Sequence, residues 1–357
     1  MQCKRQNTEM SSLASGITRY RQASPLLMSG PILARPANFY LLSGFQGRGT
    51  DGNYLLPNDD AEQDRLDLHH HVFCLALGHK LFLAPIKDPK RVLDAGTGTG
   101  IWAIDFADQF PDAEVIGSDL SPIQPGWIPP NLVFEVDDIE DEWRQKPFSY
   151  IHFRSLSGAI KDWKRLLKEA YDNLEPGGYL EVTEFECLMH SDDDTIESAT
   201  MIRKWQEQLH VAGEVIGRTF NVAGNLKQWL TETGFINVEE VPGSPWPRDR
   251  TLREVGLYQQ QNMFDAASSY GQAHFTRVLG WSPQEFAVLG AGVRNELKDK
   301  RLHLYSKLYV VYGQKPGPEQ DSGDEAQKQP AVTPVWTHNP ETYRPEEYHP
   351  ELYEADP

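Results

Sequence analysis

The most constraining feature of this chain is a glycine-rich turn that follows a short apolar run. Residues 92–100 read V-L-D-A-G-T-G-T-G, and the apolar pair at the start is typical of the end of a buried strand. Asp94 stands at the carboxyl end of that strand. Three glycines follow at alternate positions: Gly96, Gly98 and Gly100. Because glycine adopts backbone conformations that are closed to other residues and lets the backbone approach a ligand closely, the segment predicts a binding loop.

A helix and a second strand follow this turn. Residues 101–110 carry apolar side chains at helical spacing before Pro111, and residues 114–118 have the pattern of a strand that leads to Asp119. Strand, glycine turn, helix and a strand that ends on an acid is the order of the nucleotide-binding half of a doubly wound sheet. The predicted fold class is therefore α/β, with a seven-stranded, mostly parallel, Rossmann-like sheet.

The acid before the glycines separates two possible ligands of the turn. Gly98-x-Gly100-x-x-Ala103 loosely matches the dinucleotide pattern, but Asp94 would repel a pyrophosphate. S-adenosylmethionine (SAM) has no phosphate, and its sulfonium and ammonium groups are favoured by a carboxylate at a strand end. Asp119 suits either ligand, because two ribose hydroxyls donate well to one carboxylate. SAM is the favoured cofactor, and a glycine turn without a ligand is the remaining alternative.

Five more strands are predicted downstream, over residues 132–136, 149–153, 179–185, 234–238 and 308–312. The third strand leads to Asp137, Asp138 and Ile139. In this fold that position lies beside the adenine, where a carboxylate can accept from the exocyclic amine. Alone, the acidic pair would indicate only a solvated loop, but its place after a third strand favours the adenine role. Arg154 follows the fourth strand.

These segments resemble the class I SAM-dependent methyltransferases, and more narrowly the fungal LaeA-like group of secondary-metabolism regulators and pathway enzymes. The resemblance covers about residues 54–316 and is carried by six motifs: L-P-N-D-D-A-E-Q-D-R-L-D-L (56–68), L-A-P-I (83–86), L-D-A-G-T-G-T-G-I-W-A-I-D (93–105), D-L-S-P-I-Q-P (119–125), Y-I-H-F-R-S-L (150–156) and L-E-P-G-G-Y-L-E-V-T-E (174–184).

The resemblance implies that the glycine turn lines the methionine end of SAM, Asp119 the ribose, and Asp138 with Ile139 the adenine. The predicted cofactor-binding set is Asp94, Gly96, Thr97, Gly98, Gly100, Asp119, Leu120, Asp137, Asp138, Ile139 and Arg154.

Composition divides the chain into four predicted parts. Residues 1–50, where basic residues outnumber acids, form a disordered extension; a mitochondrial transit peptide is the less favoured alternative, since no amphipathic helix is evident. Residues 51–86 form a helical cap that begins with a capping box at Asp59 and Glu62 and packs over the cofactor edge of the sheet. Residues 87–316 form the methyltransferase domain, with an insertion over 242–300. Residues 317–357 form an acidic, proline-rich, disordered tail.

Charge and cysteine content restrict the partners and the compartment. The net charge of −18 disfavours nucleic acid as a substrate, because phosphate binding needs a basic surface. No apolar run is long enough to span a membrane. Three scattered cysteines argue for a reducing compartment. We expect a cytoplasmic location, with the nucleus as the alternative and mitochondria less favoured.

Neither a metal site nor a catalytic base is assigned from the sequence. His69, His70 and His71 lie on the predicted cap helix, where neighbours point about 100° apart and so cannot share one ion. Methyl transfer from SAM is an in-line displacement at carbon, and alignment of the nucleophile can supply much of the rate. A general base is needed only for a poorly acidic hydroxyl. His152 and Glu184 are candidates and nothing more.

Three functions fit this sequence. The first is methylation of a small metabolite, enclosed by the cap helix and by the aromatic residues of the insertion, which otherwise fill a small core: Trp246, Tyr258, Phe264, Tyr270, Phe275 and Trp281. The second is a LaeA-like regulator that works through protein partners, for which the tyrosines repeated in the tail would be a docking motif. The third is SAM binding without turnover.

Overall fold

Seven strands form one sheet within the part of the chain that the computed structural model describes, residues 59–243 and 250–318. The order across the sheet is β3-β2-β1-β4-β5-β7-β6. The strands are β1 Arg91–Ala95, β2 Glu114–Asp119, β3 Leu132–Val136, β4 Phe148–Arg154, β5 Leu174–His190, β6 Ile236–Gly243 and β7 Tyr305–Gln314. Only β7 among them runs antiparallel to its neighbours, so the predicted mostly parallel α/β sheet is confirmed.

Seven α-helices accompany these strands in the described ranges. They are α1 Asp60–Ala76, α2 Ile101–Gln109, α3 Trp163–Asp172, α4 Thr200–Ile216, α5 Leu226–Thr233, α6 Arg250–Ser269 and α7 Pro283–Leu297. None of these described helices is both long and apolar enough to cross a membrane. The insertion predicted over 242–300 contains α6 and α7, with a π-helical turn at His274–Val278 that the sequence did not indicate.

Two apolar layers cover the sheet, because successive side chains of a strand point to opposite faces. Val92 packs with Trp102 and Phe106 of α2 on one face. Leu93 packs with residues of α3 and α5, such as Leu167, on the other. This alternation, starting at the first strand, fixes where β1 ends and therefore where Asp94 stands.

Strand lengths differ from the predicted ones at the far side of the sheet. β5 was predicted over 179–185 but extends to His190, because its antiparallel pairing with β7 continues to His190 opposite Tyr305. Apolar alternation ends before that point, so only the partner strand reveals the extension. The predicted domain boundaries stay predictions, and the predictions for residues 1–50 and for the tail beyond 318 concern residues outside the described part of the chain.

The cap helix α1 is attached to α6 by a buried polar network. Asp59 caps α1 by accepting the backbone N–H of Glu62 at 2.9 Å. Glu62 does not complete the predicted capping box; its carboxylate instead accepts two bonds from the Arg65 guanidinium, at 2.7 and 2.9 Å. Arg65 also donates to Asn262 of α6 at 2.8 Å, and Ser269 donates to Glu62 at 3.1 Å. Buried charges are tolerated here because each has a partner.

We expect Arg65→Ala to lower the free energy of unfolding by about 3–5 kcal/mol, because it leaves the Glu62 carboxylate buried without its cation. The double variant Glu62→Ala/Arg65→Ala should cost clearly less than the sum of the two single variants. Urea denaturation of all three proteins measures this. The exposed pair of Lys164 and Glu232, 2.8 Å apart, is the control, and its loss should lower the free energy of unfolding far less than the loss of Arg65. Additive costs at Arg65 and Glu62 would contradict the coupling.

Candidate functional site

The glycine turn between β1 and α2 has left-handed backbone at all three glycines, with φ of +73° at Gly96, +58° at Gly98 and +80° at Gly100. A side chain at Gly96 would meet Leu156 at 2.4 Å, and one at Gly100 would meet Phe134 at 2.3 Å. At Gly98 the nearest atom belongs to Leu66 of the cap helix, at 3.8 Å. Packing therefore requires the outer two glycines, whereas Gly98 is half-buried and has no neighbour closer than ordinary contact distance.

Asp119 connects the end of β2 to the glycine turn. One carboxylate oxygen accepts the N–H of Gly98 at 2.8 Å, and the other accepts the N–H of Ser121 at 2.9 Å. Gln124 ties the same two loops together through the carbonyl oxygens of Gly98 and Ser121. Burial raises the pKa of Asp119, which is 9% exposed, although these backbone bonds oppose the rise. A carboxylate has about four lone-pair sites, so Asp119 retains acceptor capacity for ribose hydroxyls.

Asp94 lies beneath the turn and is only 3% exposed. One of its oxygens accepts the Thr97 hydroxyl at 2.6 Å, and the other lies 2.8 Å from Nδ1 of His152. The carboxylate thus fixes the turn through Thr97 and pairs with the neighbouring strand. A direct contact of Asp94 with the cofactor stays a prediction.

His152, a candidate base in the sequence, is buried in β4. It is 1% exposed and stacks on the Trp102 indole, with ring centroids 3.8 Å apart. Burial lowers the pKa of His152 in spite of the Asp94 carboxylate, so the ring is neutral and its Nδ1–H donates to Asp94. This geometry serves the packing of β4 and leaves no open face for an acceptor.

The residues predicted near adenine lie beside Asp119. The N–H of Asp137 donates to the Asp119 carbonyl at 3.2 Å, which places the end of β3 next to the end of β2. Asp137 is exposed, and Asp138 accepts the N–H of Glu140 at 2.9 Å. Ile139 packs against the core, and Leu120 is half-buried. The structure brings this set to one edge, while the adenine role itself stays a prediction.

Arg154 at the end of β4 is directed towards the cap helix. Its guanidinium lies 3.0 Å from Nδ1 of His70 and 4.9 Å from the centre of the Phe73 ring. The other nitrogen of His70 lies 3.1 Å from the Asp105 carboxylate of α2. His70 therefore joins α1 to both β4 and α2. Sequence reasoning missed this contact, because nothing local relates residues 84 positions apart.

The three consecutive histidines of α1 point to different neighbours, as helix geometry predicts. His69 lies between the Phe73 and Phe185 rings, with centroid distances of 4.5 and 5.3 Å. His70 contacts Arg154 and Asp105 as described. His71 meets the ring of Tyr258 edge-on at 4.9 Å. Their side chains cannot converge on one ion.

Glu184, the other candidate base, holds the loop that follows β4. Its carboxylate accepts the N–H of Leu156 at 2.6 Å, and both the N–H and the hydroxyl of Ser157, at 3.4 and 2.9 Å. The Tyr270 hydroxyl of the insertion donates to the Ser157 carbonyl at 3.0 Å. Just before this anchored stretch, Ser155 is exposed and has a left-handed φ of +57°. The Glu184 carboxylate is therefore occupied in holding the loop after β4 in position.

The insertion aromatics divide between a core and the site. Phe275 is fully buried and packs against Trp281 and Phe286, with centroids 5.2 and 5.0 Å away. These residues fill a small core of the insertion, which is the alternative role that the sequence analysis gave for these aromatic side chains. Tyr270 reaches the strand ends instead, and Trp246 lies outside the described residues.

Stability should depend on the protonation of Glu184. Burial raises its pKa from 4.5 to about 7. The folded protein therefore holds this proton more tightly than the unfolded chain, and the free energy of unfolding falls as the pH rises from about 4.5 to about 7. Glu184→Gln removes this titration and keeps an oxygen acceptor.

We expect the stability of Glu184→Gln relative to the unsubstituted protein to increase across that pH window. Urea denaturation at several pH values between 5 and 8 measures the difference. The similarly buried Glu181 titrates in both proteins and cancels. A difference that is constant with pH, or that shrinks as the pH rises, would contradict the assignment.

Comparison with known proteins gives three findings. A family model described as a methyltransferase domain matches residues 68–240. Methyltransferase pytC of Aspergillus terreus is 42% identical over 273 residues, which cover 74% of this chain and 84% of that protein. Secondary metabolism regulator laeA of Aspergillus fumigatus is 35% identical over 276 residues, or 74% of this chain and 73% of that protein.

Among solved structures, phosphoethanolamine N-methyltransferase 2 of Haemonchus contortus, in complex with S-adenosyl-L-methionine, aligns with a TM-score of 0.40 and 19% identity. The alignment covers 74% of this chain and 54% of that one.

Proposed function

This chain belongs to the SAM-dependent methyltransferases, in the fungal LaeA-like group, and we propose that it transfers a methyl group from SAM to a small-molecule acceptor, a fungal secondary metabolite. The observation that carries the proposal is the 42% identity with a relative named a methyltransferase, across most of both chains. The complete glycine turn, with an acid at the end of β1 and another at the end of β2, supports binding of the cofactor.

The residues at this edge of the sheet fit SAM. At Gly98 an added side-chain atom would meet nothing closer than Leu66 at 3.8 Å, so this part of the turn is less tightly packed than Gly96 or Gly100. Asp119 is the acceptor suited to the ribose hydroxyls, and the end of β3 at Asp138 and Ile139 suits the adenine. When bound, SAM supplies an electrophilic methyl group on a sulfonium.

The chain itself contributes position and enclosure. Asp94 and Thr97 hold the glycine turn, and Glu184 with Tyr270 holds the loop after β4. The cap helix covers the turn through Leu66. The fixed glycine turn and the helix that covers it exclude water and hold an acceptor in line with the methyl group. This alignment can supply much of the rate.

Charge restricts the acceptor and its location. A net charge of −18 disfavours polyanions in the cleft, so we propose an uncharged or weakly charged, largely apolar acceptor and no nucleic-acid partner. We also propose a cytoplasmic location, since Cys74 and Cys187 are free thiols, as expected in a reducing compartment.

The second candidate is a LaeA-like regulator that works through protein partners, favoured by 35% identity with a secondary metabolism regulator. For this function the tail would be the docking segment, through tyrosines spaced five residues apart at 343, 348 and 353. These residues lie outside the described part of the chain, and the partner stays a proposal.

Labelled SAM distinguishes the two candidates. The purified full chain is incubated with methyl-labelled SAM and, separately, with a fungal metabolite extract and a fungal protein extract. We expect label in small molecules. Label confined to protein would favour the regulator, and label in neither extract would contradict both methyl-transfer functions.

Asp119→Ala should weaken SAM binding by about 1.5–3 kcal/mol, the range for hydrogen bonds to a charged group. This equals roughly a 10- to 150-fold rise in Kd. Isothermal titration calorimetry measures it, with a melting curve to show that the variant folds. Asp112→Ala, an exposed acid before β2, is the matched control and should leave the Kd unchanged. An unchanged Kd for Asp119→Ala would remove this residue from the site.

A further inference from the structure

His69 lies where the cap helix meets the ends of two central strands. Its ring is nearly parallel to that of Phe185 on β5, at 22°, with centroids 5.3 Å apart. The His69 ring also contacts the Phe73 ring at a tilted angle. The Arg154 guanidinium, from the end of β4, lies over that same Phe73 ring. In doubly wound sheets ligands bind at the carboxyl ends of the strands. Ser155 follows the end of β4, and Phe185 lies on β5 two residues past Thr183, the last residue that β5 pairs with β4.

One polar atom at this junction has no hydrogen-bond partner among the described residues. This atom is Nε2 of His69, which is buried although the residue as a whole is partly exposed. Buried polar atoms in native proteins are nearly always paired, and an exception calls for an explanation such as a catalytic role. The ring nitrogens of His70, by contrast, contact Asp105 and Arg154, and Nδ1 of His152 contacts Asp94.

The surroundings keep this imidazole neutral. Burial lowers the pKa of His69 well below 6.5, and the positive charges of Arg65 and Arg154 lower it further, together with His70. The aromatic residues from β5 and α1 add no charge. A neutral ring with its proton on Nδ1 presents the lone pair of Nε2, which is the state a general base needs.

We propose that His69 is the general base of the reaction and that the acceptor is a hydroxyl group on a flat, apolar framework held beside Phe185; this rests on the proposed methyltransferase function. The acceptor oxygen forms a bond to the methyl carbon while the carbon–sulfur bond breaks and its electron pair stays on sulfur. The hydroxyl proton passes to Nε2 of His69, and the products are the methyl ether and S-adenosylhomocysteine.

Other groups do not meet these conditions as well. Glu184 accepts three hydrogen bonds from the loop after β4, and His152 is covered by Trp102. His274 also has a buried nitrogen without a described partner, but it is only 2% exposed, its ring packs edge-on against Phe220 with centroids 5.2 Å apart, and its Nδ1 lies 3.2 Å from the Tyr270 carbonyl oxygen.

The test uses the full chain with two substitutions at the site and one control. His69→Phe keeps the aromatic packing and removes the nitrogen, and His69→Gln serves if the first variant does not fold. His71→Phe changes the adjacent histidine, which contacts Tyr258. The probes are methyl-labelled SAM with the fungal metabolite extract, with phenol, and with the more acidic 4-nitrophenol. Calorimetry gives the Kd for SAM.

We expect label on oxygen, and a kcat lowered by about 100- to 10,000-fold in His69→Phe for weakly acidic hydroxyls, the usual range for a lost general base. The loss should be smaller with 4-nitrophenol, which ionises without help. The Kd for SAM should stay within about twofold, and His71→Phe should match the unsubstituted protein. The acidic limb of the kcat profile should lie below pH 6.5 and should disappear in His69→Phe.

Three results would overturn the proposal. An unchanged kcat in both His69 variants would show that the ring only packs, and a matching loss of SAM affinity would show a cofactor role. Label on nitrogen, sulfur or carbon would remove the hydroxyl acceptor but leave the proposed methyltransferase function standing. Label in no small molecule would contradict both the role of His69 and the proposed methylation of a small molecule.

Discussion

The functional edge of this protein depends on a backbone that is left-handed at three positions within five residues. That conformation lets Leu156 and Phe134 close in on the turn at Gly96 and Gly100, and it directs the N–H of Gly98 to Asp119. Because these contacts come from several strands of the sheet, the turn is held in shape by packing and does not need a ligand to form. A preorganised site avoids the ordering cost that a loose loop would add to binding.

Buried carboxylates connect the loops to this edge. Asp94 holds the glycine turn, and Glu184 holds the loop after β4. Glu181 holds the segment before β1 by accepting the N–H groups of Leu83 and Ala84, at 2.9 and 2.6 Å. Glu181 and Glu184 accept backbone N–H groups, whereas Asp94 accepts from the Thr97 hydroxyl and the His152 ring, and these bonds are why burying the three acids is tolerated. The geometry of the edge is therefore electrostatic as well as apolar.

Much of this arrangement could be predicted because its signals are local. Apolar alternation locates β1, the glycine pattern requires the turn, and an acid one residue past a strand must stand at the edge of the sheet. The pairing of these residues with each other could not be predicted. The contact of Asp94 with the cofactor stays a prediction. Its contact with His152 on the neighbouring strand could not be predicted, because the sequence does not state the order of the strands.

The same limit applies to the cap. Helical periodicity places α1, but it does not show that Arg154 meets His70, or that Arg65 reaches Asn262 almost two hundred residues away. Such contacts depend on how two helices and a strand end are set against each other, which is a property of the finished fold. The two candidate bases illustrate the consequence: Glu184 holds the loop after β4 and His152 pairs with Asp94, whereas the role proposed for His69 follows only from its surroundings in the fold.

The position of β7 has a consequence for how the chain folds. This strand lies between β5 and β6, yet it follows both of them and the whole insertion in the sequence. During synthesis β5 therefore presents an open edge, and β6 has no neighbour, until residues 305–314 leave the ribosome. An open edge of this kind is a template for pairing with other chains, and strand pairing across such a separation is slow. The half of the sheet formed by β1 to β3 is free of this constraint, so it can assemble while the other half still waits for its central strand.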